Sequence, residues 1–232
     1  MGTFFQAYIQ ADFFGKLIFF ALFVVSCSCW IFLLQKFWML KQTKMEAARF
    51  KKLALLHKEA VLNLTSHSKN PFSVLYNTLK EQTLTLLDKN RFFHQGEKNY
   101  LSGSDIEFLE SHLQIAIAKL KGTIEKNLFI LSITKSLAPF LGLLGTVWGI
   151  LVSFGQLQSG HSVNSNAVIL GGLSTALTTT VLGLLIAIPA LIAHGYLKSI
   201  CKNLTLEMVD FSHFLLSTVE LQYRKVDVST QG

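Results

Sequence analysis

Residues 167–197 read AVILGGLSTALTTTVLGLLIAIPALIAHGYL, 31 positions with no Asp, Glu, Lys or Arg among them. As a helix rising ~1.5 Å per residue this stretch would be about 46 Å long, against roughly 30 Å of bilayer hydrocarbon. It is expected to cross a membrane and to tilt or project beyond it. Inside it, Ser174, Thr175, Thr178, Thr179 and Thr180 place five hydroxyls within the 13 residues of GGLSTALTTTVLG, 171–183. A hydroxyl in lipid needs a partner. The choices are its own helix, a second helix, or whatever passes between helices.

Two further runs have the same character. Leu17–Gln35 lies between Lys16 and Lys36, and Ser136–Gln158 lies between Lys135 and the polar stretch SGHSVNSN. Half of the 232 residues are hydrophobic, 15% are charged, and the mean hydropathy is +0.42. That composition points to a membrane protein. The predicted architecture is all-α: an outer segment 1–16, a first span 17–35, a cytoplasmic helical segment 36–135, a second span 136–158, an outer loop 159–166, a third span 167–197 and a tail 198–232.

Charge sets the expected orientation. Lys36–Lys135 carries 16 of the 21 Lys and Arg and 9 of the 14 acids, while Ser159–Asn166 carries no charge. Basic residues gather at cytoplasmic span ends, so the N-terminus is expected outside and the C-terminus inside. The same bias accounts for the basic segment without a nucleic-acid role, since no RNA- or DNA-binding motif accompanies it; anionic lipid is the better secondary partner. Val24-Val25-Ser26-Cys27 resembles a lipoprotein cleavage box, but the apolar run continues to Leu34, as a span would. Cys27, Cys29 and Cys201 are poorly placed for a structural disulfide. The glycosylation patterns at Asn63 and Asn203 fall on the expected cytoplasmic side.

Outside the spans, the aromatic segment Met1–Gly15 is expected to form an interfacial helix on the outer leaflet. Lys41–Leu64 should extend the first span into the cytoplasm. Breaks are expected at Thr65–Phe72 and His94–Gly103, with a helix over Ser73–Phe93 between them. Ser104-Asp105-Ile106-Glu107 reads as a capping box, opening a helix with an apolar stripe of Ile106, Leu109, Leu113, Ala116, Leu120, Ile124 and Leu128.

Spans two and three carry small residues at helical spacing. In span two these are Gly142, Gly145 and Gly149; in span three, Gly172, Ala176, Gly183 and Ala187, with Thr180 on the same face. Such strips let another helix approach closely. Pro139 and Pro189 each remove a backbone donor and permit a bend. There is no metal spacing, no phosphate loop and no nucleophile–base pair, so neither a cofactor nor an enzyme activity is expected. Ionisable residues, the usual mark of a proton path, are absent from spans two and three apart from His194. Most of the hydroxyls are expected to bond their own helix. Thr146 and Thr180, one per helix beside a glycine strip, are instead expected to face a passage.

LAPFLGLLGTVWGILVSF (Leu137–Phe154) and TALTTTVLGLLIAIPALIAHGYL (Thr175–Leu197) closely resemble the TolQ/ExbB/MotA proton-channel subunits, especially the TolQ and ExbB branch. The resemblance implies a bacterial inner-membrane protein without enzymatic activity. It implies a homo-oligomeric (pentameric) ring around single-span partners of the ExbD/TolR type, in which the partner's membrane Asp carries the proton. It also implies that Thr146 and Thr180 are pore threonines. Thr175 is a third candidate for lining the proton pathway, and one departure concerns it: it falls where TolQ and ExbB proteins commonly have a Glu, and MotA-type members also lack that acid. Any proton route or inter-subunit contact through that Glu is therefore open. Two other readings fit parts of the sequence, a non-conducting scaffold for partner helices and a solute transporter. Three spans without an inverted repeat argue against the second. TonB-linked uptake, Tol–Pal constriction, gliding and flagellar torque all use related rings, and neighbouring genes would distinguish them.

Overall fold

The computed structural model describes residues 5, 7–9, 11–56, 70–93, 100–158 and 165–223. Five long helices account for most of them: α1 (Phe13–Leu56), α2 (Pro71–Phe93), α3 (Gly103–Glu125), α4 (Leu128–Gln158) and α5 (Ser165–Tyr223). There is no strand among the described residues, and the chain is all-α. Three helices, α1, α4 and α5, are long and apolar enough to cross a membrane. Both prolines lie inside unbroken helices, Pro139 in α4 and Pro189 in α5. The expected breaks at Thr65–Phe72 and His94–Gly103 fall largely outside the described residues, as do most of the outer loop and the tail after Tyr223. The glycosylation pattern at Asn63 also lies outside them.

The chain divides into two units. The apolar one comprises Met1–Phe37 and Asn127–Lys198, and the polar one Trp38–Lys126 and Ser199–Gly232. In the polar unit, Asn70 starts α2: its side-chain oxygen accepts the Phe72 N–H at 3.1 Å, and Pro71 occupies the first helical position, where a missing N–H costs nothing. Aromatic rings then form the core. Phe211 has its ring centroid 5.2 Å from Phe72 and 6.2 Å from Phe50, and Phe50 meets Tyr76 edge-on. Leu75, Leu79, Leu109, Leu113, Met208 and Leu215 are buried in the same unit. Burying each such side chain is worth about 1.5–3 kcal/mol, which explains why α2, α3 and the end of α5 hold together despite a polar surface.

The start of α3 corrects the sequence-based expectation. The capping box is not Ser104/Glu107; Ser102 is the N-cap and Asp105 its partner. The Ser102 hydroxyl accepts the Asp105 N–H at 3.2 Å, and the Asp105 carboxylate accepts the Ser102 N–H at 2.9 Å. The register is decided by a contact that local sequence does not reveal. Asn90, from α2, donates to Asp105 at 3.0 Å and to the Tyr100 carbonyl at 3.1 Å, so the carboxylate serves two elements. The apolar stripe also differs in the middle: Leu109, Leu113 and Ile124 are buried as expected, as is Leu128 at the start of α4, but Ile117 is buried where Ala116 and Leu120 are half-exposed. The helical path is broken at Asn127, whose φ of 72° is left-handed and stops α3 before α4 begins.

The cap predicts a pH dependence. Burial raises the Asp105 carboxyl, but hydrogen bonds from the Ser102 backbone, Asn90 and the Ser102 side chain, aided by the Lys89 charge, outweigh it and leave the pKa below the ordinary value. A carboxyl depressed in the folded state adds stability above its unfolded pKa of about 3.9, and that stability is lost as pH falls through the folded value. Ser102→Ala should destabilise α3 by about 1 kcal/mol at neutral pH. Amide hydrogen exchange over the first turn of α3 should show faster opening in the variant, with the difference shrinking below about pH 4.

Candidate functional site: the paired glycine faces of α4 and α5

Small residues decide how closely α4 and α5 lie. A methyl group placed on Gly142 would come within 2.9 Å of the Thr180 Cα and 3.0 Å of the Thr179 carbonyl oxygen. On Gly145 it would strike the Thr179 side chain, and on Gly149 it would come 2.8 Å from the Ala176 Cβ and 3.0 Å from the Gly172 carbonyl. On Gly183 it would lie 2.6 Å from the Ala138 carbonyl, and on Gly172 it would strike Ser153. Ala176 and Ala187 are buried on the same side of α5. The two small-residue strips that the sequence places on separate spans therefore meet each other. Each lets the other's backbone approach to a distance only glycine permits.

Close approach brings carbonyls within reach of hydroxyls. Thr180 donates to the Gly142 carbonyl of the other helix at 3.0 Å. Thr179, 1% exposed, donates to Ala176 at 2.7 Å and lies 3.4 Å from the same Gly142 carbonyl. Thr178 bonds Ser174 of its own helix at 2.7 Å. Thr146 also takes an own-helix bond, donating to the Leu143 carbonyl at 2.7 Å, contrary to the expectation that it would forgo one. The hydroxyl protons of Thr146 and Thr180 are thus both engaged by carbonyls, leaving their oxygens able only to accept further hydrogen bonds.

Thr175 is placed differently. It is 8% exposed, and its hydroxyl lies 2.9 Å from the Gly171 carbonyl and 3.3 Å from the Ala7 carbonyl of the N-terminal segment. That segment is folded onto the helices as well as presenting aromatics outward. Ala7 and Ala11 are buried with Phe19, while Phe5, Ile9 and Phe13 are exposed. Asp12 ties it in: one carboxylate oxygen accepts the Gly15 N–H at 3.0 Å, capping α1, and the other accepts the Trp148 indole N–H at 2.9 Å. Phe14 packs on the same indole, ring centroids 4.2 Å apart. No signal in the sequence links Asp12 to Trp148, because they are 136 residues apart. Pro189 lies off the glycine face, lining an apolar groove of about 610 Å³ with Leu22, Cys29, Leu182 and Ile186. Among the described residues no group of His, Cys, Asp and Glu could hold a metal.

The packing predicts a graded effect of added methyls. Gly142→Ala and Gly183→Ala force one backbone off the other and should destabilise the solubilised chain by about 1–3 kcal/mol. Gly155→Ala on the same α4 meets nothing within 4 Å. It should leave thermal stability unchanged or raise it by up to about 1 kcal/mol, through the helix preference for Ala. Thermal unfolding in detergent reads the contrast directly.

Residues 85–210 match the family model described as the MotA/TolQ/ExbB proton channel family. The Biopolymer transport protein ExbB of Pseudomonas putida is 30% identical over 193 residues, covering 81% of this chain and 54% of that protein. The ExbB of Aquifex aeolicus is 41% identical over 80 residues, 34% of this chain and 53% of that protein. The ExbB of Neisseria gonorrhoeae is 35% identical over 112 residues, 47% of this chain and 49% of that protein. The chain spans about half the length of the curated relatives it matches. The matched region takes in α3, α4 and the glycine-faced part of α5, where the helix contacts described above are made. This chain is a member of the MotA/TolQ/ExbB proton channel family.

Proposed function

We propose that the chain is a proton-channel subunit of an inner-membrane motor complex. It works as a homo-oligomer around a single-span partner of the ExbD/TolR type, and uses proton-motive force to energise envelope work. The N-terminus faces outward, and the polar helical segment faces the cytoplasm, where the basic span ends belong. The observation that carries the proposal is the pairing of α4 and α5 through Thr180 and Gly142, in spans that contain no acid. The absence of a carboxylate from both spans supports a titrating acid supplied by another polypeptide.

The direction of the hydroxyl bonds sharpens the mechanism. Thr146 and Thr180 spend their protons on carbonyls, so toward a passage they offer lone pairs. A lone pair accepts from a protonated carboxylic acid and repels an ionised one. The two threonines therefore stabilise the neutral form of the partner's Asp, raising its pKa and letting it pass an apolar stretch without the cost of a bare charge. Release follows where the acid reaches water beyond the spans. Each proton crossing ~100 mV yields about 2.3 kcal/mol from the electrical part alone, so a few suffice for a conformational step. Thr175, where related chains commonly carry a Glu, has its hydroxyl turned to Gly171 and Ala7 and holds the N-terminal segment in place. A non-conducting scaffold would need its glycine strips free to grip partner helices, and here they are spent on each other.

Co-reconstitution with the partner in liposomes under an imposed potential tests this. Thr180→Val and Thr146→Val keep shape but remove the accepting oxygen. Each should cut proton flux about ten-fold, the value of one hydrogen bond, with oligomer size unchanged. Thr180→Ser should conduct. Full flux in both valine variants, or steady flux from this chain without the partner, would refute the proposal.

A further inference from the structure

At the other end of the apolar helices from Trp148, a lysine and a histidine are in direct contact: Lys135 Nζ lies 3.2 Å from His194 Nδ1. Lys135 stands immediately before the second apolar run, and Lys198 immediately after the third. Lys198 follows His194 by four residues on α5, which puts the two on one helix face. An ammonium can only donate, so Nδ1 accepts, and the ring proton must sit on Nε2. The cluster therefore offers N–H donors from three side chains and no acceptor.

Among the described residues nothing acidic balances it. Asp12 is the sole Asp or Glu in the sequence of the apolar unit. It is engaged by Gly15 and Trp148, and Trp148 lies 13 positions along α4 from Lys135, about 20 Å at helical rise. Among the described residues no carboxylate pairs with Lys135 or Lys198. Two ammonium groups around an imidazole, at the edge of a low-dielectric layer, repel one another unless an anion joins them. A phosphodiester has the complementary chemistry, oxygens that only accept and one negative charge. The position of the cluster at the ends of two apolar runs is the depth at which lipid headgroups lie.

We propose that Lys135, His194 and Lys198 bind the phosphate of an anionic phospholipid headgroup. The site is separate from the threonine face and does not depend on proton conduction. Each lysine strengthens retention of the lipid about five-fold, the usual value of a basic residue at an anionic membrane surface.

The full-length chain in neutral detergent, incubated with phosphatidylglycerol or phosphatidylcholine and read by native mass spectrometry, provides the test. Wild type should retain phosphatidylglycerol and not phosphatidylcholine. Lys135→Gln or Lys198→Gln should lower retention about five-fold, and the double variant about twenty-five-fold, while Lys135→Arg keeps it. Millimolar inorganic phosphate should not displace the lipid. If Lys135→Gln aggregates, the exposed Lys198→Gln carries the comparison. Equal retention of both lipids, unchanged retention in Lys198→Gln and the double variant, or displacement by inorganic phosphate would each overturn the assignment.

Discussion

Where Gly142 faces Thr179 and Thr180, and Gly183 faces the Ala138 carbonyl, two helix backbones touch with no room for a methyl group. Lipid tails give helices no hydrophobic reason to associate, so this contact has to be held by dispersion and by polar groups brought close enough to bond. Both follow from the missing Cβ atoms. With alanines at these places the Thr180 hydroxyl would be pushed away from the Gly142 carbonyl, and the helix pair would lose its cross-link along with its packing.

The apolar unit otherwise hides its polar groups locally. Thr134, Ser136, Thr146, Ser153 and Thr178 each bond a carbonyl three or four residues back. Those bonds let a hydroxyl-rich helix pass as apolar to the surrounding lipid. The polar unit follows different rules. Tilted and edge-on ring contacts around Phe211 and a two-element cap at Asp105 secure helices whose outer faces are polar. Helices α1 and α5 each serve both environments as a single continuous helix.

Much of this was legible in the residues. Long uncharged runs identified the apolar helices, because lipid tolerates no unsatisfied backbone and little charge. Spacings of three and four identified the glycine strips, but not that the strips on α4 and α5 face each other; that depends on how the two helices are rotated, which no local pattern encodes. The cap of α3 was misplaced by two residues because Asn90, from another helix, selects Asp105 over Glu107. Thr146 was not expected to bond its own helix, yet its hydroxyl donates to the Leu143 carbonyl three residues back. The bond between Asp12 and Trp148 was beyond sequence reasoning altogether, since the two are distant in the chain and neither sits in a recognisable pattern with the other.

Thr180 stands apart from Thr175, Thr178 and Thr179 in having its hydrogen bond only on the neighbouring helix. The other three can be satisfied as soon as α5 enters the bilayer alone. Thr180 gains its bond only once α4 lies alongside, and only if Gly142 is level with it. A slip by one turn would put Ala138 or Thr146 opposite, where a side chain stands in the way. The hydroxyl thus works as a detent between two otherwise smooth rods, engaging at one setting and marking when the pair has been correctly put together.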